Sequence, residues 1–518
     1  SWSYEKAIAN SPIEEQRRKP PMSHLLPWRK NKRPANGSEA KLGTLAGVFL
    51  PCISQILGVI FFLRLPTITA QAGCIGTTVI IAVCSLSTFV TSLSLSAIAT
   101  NGTIQAGGPY YIISRTLGVE VGGSLGLLFY LGTTLSASMY VLGAVETLKT
   151  NLDYYGKPAE QAQVEELDDL VAYYEIFDDD NEAEEYVDPN EIDEEEWWGM
   201  TQIGSLVTMF IITAMVSAGM KYVNLSATFF LSTTMLSIIS ILLGTLLFAS
   251  SLWQGSLSSS DRVSFDNLWP HFGPDAKTGV TPTFTSLLAL FFPSVTGIMA
   301  GTNRSAKLRK PSKSIPKGTI GAIAVTTSIY IVQVWLVGCV VAHQSLMENK
   351  LILATLAFPS KVAVKFGIIA SCIGAALQCL TGAPQLLAAI AVDDAIPALR
   401  FFRPARYKTV DGGVVEQQTD PKAAIWATYL LASLACLVGN LDHITPIISM
   451  FYLLIYGGVN LCCFLLGWAN APGFRPTFRY YHKSISLFGF CLCLFLALFI
   501  SWFMAFVAIG LFIFNYYY

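Results

Sequence analysis

The chain has 518 residues, 53% of them apolar and 13% charged. Long apolar runs recur along it, which marks a polytopic helical membrane protein and excludes an ordinary soluble domain. The net charge of −2 hides an asymmetry: residues 153–196 carry 19 Asp and Glu against one Lys, leaving 16 acidic against 32 basic residues elsewhere.

Residues 1–41 are polar, proline-bearing and basic, and read as a cytoplasmic N-terminal segment. Twelve spans follow, near 42–65, 73–99, 119–149, 201–220, 225–250, 284–302, 317–342, 362–390, 423–440, 444–468, 484–500 and 502–518. With a cytoplasmic N-terminus this count places the basic clusters 17–41, 304–317, 400–422 and 475–483 inside, as the positive-inside rule requires. The acidic loop 151–199 and the loop 251–283 then fall outside. The acidic loop reads as a solvated segment that also concentrates cations at the outer mouth. The first ten spans divide into two fives, 42–250 and 284–468, with the last two spans in 469–518. An odd number of spans per half inverts the second half against the first.

Each half opens with an interrupted helix. The sixth span holds FFPSVTGIMAG, Phe291 to Gly301, and the first holds PCISQILGVI, Pro51 to Ile60. Proline lacks the amide that a helix interior needs, and glycine tolerates irregular backbone. Freed carbonyls and amides cannot face lipid, so they line protein or a wet cavity and offer a site for small ions. In the first span the inner half is expected to end at Gln55 and Ile56 with open carbonyls, and the outer half to begin at Gly58, Val59 and Ile60 with open amides. In the sixth, Pro293 and Ser294 are expected to end one half, and Gly297, Ile298 and Met299 to start the other. Carbonyl ends favour a cation and amide ends an anion.

The middles of the spans carry no Asp, Glu, Lys, Arg or His; Arg64, Glu146, Asp393 and Asp394 lie near span ends. Proton coupling normally runs through a buried ionisable group, and none is present. A cation held by carbonyls alone is costly to carry, and an anion in the same cavity cancels its charge. The pattern favours electroneutral symport of a cation with an anion. Tyr140 and Tyr456 fall at span centres, where a hydroxyl either reaches the site or is simply satisfied in the core, and Thr296 sits at the second break. The eleven cysteines lie in or beside the apolar spans, without disulfide-framework or metal-ligand spacing. No hydrolytic or redox constellation and no phosphate-cradling loop is visible. An enzyme, a resident cofactor and a nucleic-acid partner are therefore not expected.

The blocks KLGTLAGVFLPC, GVIFFLRL, SAIATNGTIQAGGPYYIISRTLG, FYLGTTLSASMYVLGAVE, FFPSVTGIMAGTNRS, LTGAPQLLAAIA and FRPTFRYYH resemble those of the cation–chloride cotransporters, and within them the potassium–chloride branch. The resemblance runs from about Lys41 to Tyr518, apart from the two outer loops. It implies an all-α polytopic fold of about twelve helices, LeuT-like, with a five-plus-five inverted repeat, two further helices, and the first and sixth helices broken at mid-membrane. It implies potassium on the carbonyls of Gln55, Ile56 and Pro293 and the hydroxyls of Tyr140 and Thr296. One chloride would sit on the amides of Gly58, Val59 and Ile60. The second would sit on Gly297, Ile298 and Met299 with the Tyr456 hydroxyl. Arg64 and Glu146 match the pair that closes the family's outer gate.

Sodium-coupled members of that family carry paired serines in the eighth span, where this chain has Gly374 and Ala375, with Ser371 nearby. Neither residue offers sodium a side-chain oxygen, so a sodium-independent potassium–chloride symporter of the plasma membrane, working by alternating access, is expected. Sodium-dependent symport, an amino-acid or polyamine permease and a non-transporting partner subunit are the alternatives. Gln55 stands where the branch usually has asparagine, and the outer loop 251–283 lacks the branch's cysteines and glycan sites. These departures mark a distant member. The family's large cytoplasmic C-terminal domain has no counterpart before Tyr518, and the chain is expected to be a truncated or partly ordered form. A homodimer in the lipid bilayer is compatible with the resemblance.

Overall fold

The computed structural model describes residues 42–101, 108–156, 193–252, 265, 267–274, 281–305, 308–393, 396–403, 407–410, 413–416, 421–439, 441–471 and 474–517. The N-terminal segment, residues 157–192 of the acidic loop, and Asp394 lie outside them. Among the described residues ten helices are long and apolar enough to cross a membrane: Leu45–Leu63, Leu65–Ala99, Val119–Thr150, Gly199–Ser217, Leu225–Ala249, Phe284–Asn303, Pro311–Val340, Lys361–Val392, Ile444–Trp468 and Lys483–Ile500. Two shorter apolar helices, Lys422–Cys436 and Trp502–Tyr517, take the ninth and twelfth places. The protein is a multi-pass membrane protein. Helices suit lipid because each satisfies its own backbone groups.

Several boundaries follow from local chemistry. The stretch Leu65–Ala99 is two helices joined at Gly73, whose φ of 68° and ψ of 168° leave helical geometry and suit glycine alone, so span 2 proper begins after it. A Cβ there would also lie 2.5 Å from the Trp269 carbonyl carbon. Spans 11 and 12 are separated by Ser501 alone, in extended backbone, so the minimal turn anticipated between them is a single residue. The third helix continues to Gly156 and the fourth begins at Asp193, so helix enters the predicted acidic loop from both sides. The basic stretch after span 8 contains a small antiparallel hairpin, Tyr407–Val410 with Gly413–Glu416, which the sequence pattern did not suggest.

The packing of the ten spans is largely symmetric under exchange of spans 1–5 with spans 6–10. Span 1 packs on 6, 2 on 7, 3 on 8 and 4 on 9. Many off-diagonal contacts come in matched pairs: 3 with 10 and 8 with 5, 2 with 10 and 7 with 5, 3 with 9 and 8 with 4, 7 with 1 and 2 with 6. This is the pattern a two-fold relation between the halves produces. Span 8 also packs on span 1, with no comparable contact of span 3 on span 6. Residues 267–271 staple the start of span 2 to the end of span 7. The amides of Cys74 and His271 meet the carbonyls of Asn267 and Gln71 at 2.8 and 3.0 Å. The Asn267 side-chain amide donates to the carbonyls of Gly338 and Val341 at 3.2 and 2.7 Å.

Candidate ion site at the two broken helices

The first span breaks where its glycine and proline spacing predicts. Helix Leu50–Ile56 stops, Leu57 and Gly58 leave helical geometry, and helix Val59–Leu63 resumes. Its carbonyls are not left open. The Tyr140 hydroxyl of span 3 donates to the Gln55 carbonyl at 2.8 Å. The Tyr330 hydroxyl of span 7 donates to the Ile56 carbonyl at 2.9 Å. The Ser371 hydroxyl of span 8 donates to the Leu57 carbonyl. Three consecutive carbonyls thus each take a hydroxyl from a different span, which is how a buried break satisfies its acceptors.

Besides the carbonyls expected to be open, the Gly58 amide is not open either: it donates to the Ile56 carbonyl at 2.9 Å. Val59 and Ile60, in the first turn of the outer helix, keep the position expected of helix-start amides. Gly58 itself is required, because a Cβ would lie 2.4 Å from the Tyr140 ring.

The sixth span breaks differently. Helix Phe284–Phe291 runs without interruption into a 3-10 helix, Phe292–Met299, followed by the short helix Ala300–Asn303. Pro293 and Ser294 therefore do not end a half, and Gly297, Ile298 and Met299 do not start one. Proline near the first position of the 3-10 helix has no amide to leave unpaired, and the tighter turn absorbs the disruption. The segment's own hydroxyls complete it: Ser294 donates to the Phe291 carbonyl at 2.7 Å and Thr296 to the Pro293 carbonyl at 2.8 Å. One outside hydroxyl joins them, Tyr456 of span 10, which donates to the Thr296 carbonyl at 2.6 Å. Gly297 serves close approach: a Cβ there would lie 2.9 Å from the Gln55 Cβ and 3.1 Å from the Ile56 amide nitrogen. The Cys52 thiol donates to the Ile298 carbonyl at 3.6 Å from the other side. The two breaks are in direct contact.

Gln55, Thr296 and Met299 line a cavity with room for about one water molecule, together with Arg304, Gln378 and Thr381. Arg304 is 5% exposed and donates to the Gln378 and Thr381 side chains of span 8, closing one end of the cavity. Gly108 and Gly382 let the loop after span 2 and span 8 press on Asn303; a Cβ on either would lie 3.0 and 3.2 Å from its side-chain amide. At the opposite end Arg64 meets both Glu146 oxygens at 3.5 Å. Lys350 joins them at 3.1 Å from Glu146. Sequence reasoning missed Lys350, Arg304 and Tyr330. Tyr330 carried the signal that singled out Tyr140 and Tyr456, a phenol at a span centre. Gly374 packs against Phe230, and Ala375 is fully buried. Among the described residues no group of His, Cys, Asp and Glu is arranged to hold a metal ion.

A family model described as amino acid permease matches residues 47–518. Cation-chloride cotransporter 1 of Arabidopsis thaliana is 40% identical over 479 residues, covering 91% of this chain and 46% of that protein. Cation-chloride cotransporter 2 of Oryza sativa subsp. japonica is 40% identical over 492 residues, covering 93% and 47%. The chain spans about half the length of these curated relatives. It belongs to the amino acid permease family, and over about nine-tenths of its length it is similar to cation-chloride cotransporters.

Proposed function

We propose that this chain is the membrane part of an electroneutral potassium–chloride symporter that works by alternating access and is independent of sodium. The observation that carries the reading is the contact between the two breaks. Gly297 is pressed on Gln55 and Ile56, so the uncharged oxygens of Gln55, Tyr140, Pro293 and Thr296 converge in one place with no buried carboxylate among the spans' middle residues. Neutral oxygens suit a large monovalent cation, and the missing countercharge is supplied by a co-transported anion. The relatives' names supply the classes, cation and chloride.

In this reading Gln55, Ile56, Tyr140, Pro293 and Thr296 ligate potassium. Val59 and Ile60, with Gly58, hold one chloride. Gly297, Ile298, Met299 and the Tyr456 hydroxyl hold the second. Arg64, Glu146 and Lys350 close the outer mouth. The N-terminus is cytoplasmic, the membrane is the plasma membrane, and the protein pairs as a homodimer. The crowding of Gly58 by Tyr140, and of Gly297 by Gln55 and Ile56, leaves no room between the breaks for an organic amine, which weighs against an amino-acid substrate.

A second reading, sodium-dependent cation–chloride symport, has one observation in its favour: the Ser371 hydroxyl of span 8 stands at the first break, on the Leu57 carbonyl. Rubidium uptake into proteoliposomes, with chloride and sodium removed in turn, separates the two. The proposal expects uptake that needs chloride and ignores both sodium and an imposed voltage. Uptake that needs sodium would sink it and move the weight to Ser371.

A further inference from the structure

We propose that Tyr330 is a positioning residue of the cation site, fixing the Ile56 carbonyl in place by tying it to the sixth span. This assignment rests on the functional reading above. Tyr330 lies in span 7, which that reading gives no role, and is fully buried. Its hydroxyl donates to the Ile56 carbonyl at 2.9 Å, 274 residues away in sequence. Ile56 belongs to the first break, and the Tyr330 ring packs on Phe291 at the entry to the second, so one side chain touches both.

The ring is held as firmly as the hydroxyl. It meets Phe61, beyond the first break, edge-on at 5.3 Å between centroids. It meets Phe291, just before the sixth-span 3-10 helix, edge-on at 5.2 Å. The Gly58 amide reaches the same Ile56 carbonyl from the backbone side at 2.9 Å. Two donors from different directions fix where that oxygen points. Groups that orient a ligand set ion affinity nearly as strongly as the ligand itself. Tyr140 does the equivalent for the neighbouring Gln55 carbonyl from span 3. The first break is therefore clamped from two sides, by one tyrosine from each half of the chain.

The test is rubidium uptake by wild type and Tyr330→Phe in proteoliposomes, with half-saturation measured separately for rubidium and chloride, beside the melting temperature of the purified protein. Phenylalanine keeps both ring contacts and removes only the hydroxyl. Half-saturation for rubidium is expected to rise about three- to tenfold, with that for chloride, the maximal rate and the melting temperature little changed. A rubidium value that is unchanged or lower would overturn the assignment, a fall meaning that the hydroxyl competes with the cation. Equal shifts for both ions with a lower melting temperature would also overturn it, as a structural role. If Tyr330→Phe does not fold, Phe291→Leu, which loosens the Tyr330 ring, decides: a rise of about twofold for rubidium alone supports the assignment, and no change overturns it. Wild-type uptake indifferent to potassium or chloride would overturn the functional reading and this assignment together, whereas normal wild-type uptake with an unmoved variant overturns only the assignment.

Discussion

The first and sixth spans are broken at matching places, yet they solve the same problem in opposite ways. At the first break the helix stops, and the carbonyls of Gln55, Ile56 and Leu57 borrow hydroxyls from spans 3, 7 and 8. At the sixth the chain never leaves helical winding; Ser294 and Thr296 close two of its carbonyls from within, and only Tyr456 and Cys52 reach others from spans 10 and 1. The first break depends more on its neighbours, so motion of those neighbours changes what its carbonyls can do. The sixth is the more self-contained of the two, and the first is pressed against it. The asymmetry assigns the adjustable part of the site to the first span.

The comparison can be broken most decisively at the glycines. Gly58→Ala forces the Tyr140 ring away from the Gln55 carbonyl, and Gly297→Ala pushes the two breaks apart. Overpacking of this kind costs about 1–3 kcal/mol, so rubidium uptake per folded transporter should fall at least about tenfold in each. Normal uptake in both would mean that the contact between the breaks is not the site.

Next comes the borrowed hydroxyl. Tyr140→Phe should raise half-saturation for rubidium by about tenfold, while Thr296→Val, which removes a hydroxyl bonded within its own segment, should raise it by about threefold or less. The reverse order would place the adjustable part in the sixth span. Smaller effects are expected at the outer closure. Glu146→Gln leaves the buried Arg64 without its carboxylate and should slow uptake about fivefold, an effect of roughly 1 kcal/mol. Lys350→Gln removes a partner whose side chain is 37% exposed and should change the rate less than about twofold. Equal effects would make Lys350 as much a part of the closure as Arg64.

Much of this was legible in the sequence, for physical reasons. Apolar run length sets the number and placement of the spans. Pro51 with Gly58, and Pro293 with Gly297, mark the two irregular stretches because lipid tolerates neither a missing amide nor an open carbonyl. The form of the sixth break was not legible: a proline followed by a glycine can end a helix or tighten it, and packing against Gln55 and Ile56 decides which. The Gly58 amide was misjudged because its donation to Ile56 is a local backbone turn that residue type alone does not specify. Tyr330 escaped because its role lies in a contact with Ile56 far along the chain, although its own position at a span centre was visible. Lys350 and Arg304 sit just beyond span ends, where sequence alone does not separate a closure from an interfacial charge.

The most direct test of the central claim is anomalous scattering from crystals grown with rubidium and bromide in place of potassium and chloride. The account predicts a rubidium peak among the Gln55 and Ile56 carbonyls and the Tyr140 hydroxyl, bounded on the other side by Pro293 and Thr296, with bromide on the Val59–Ile60 side and beside Tyr456. A rubidium peak beside Ser371 and Gly374, with none at Gln55, would contradict it.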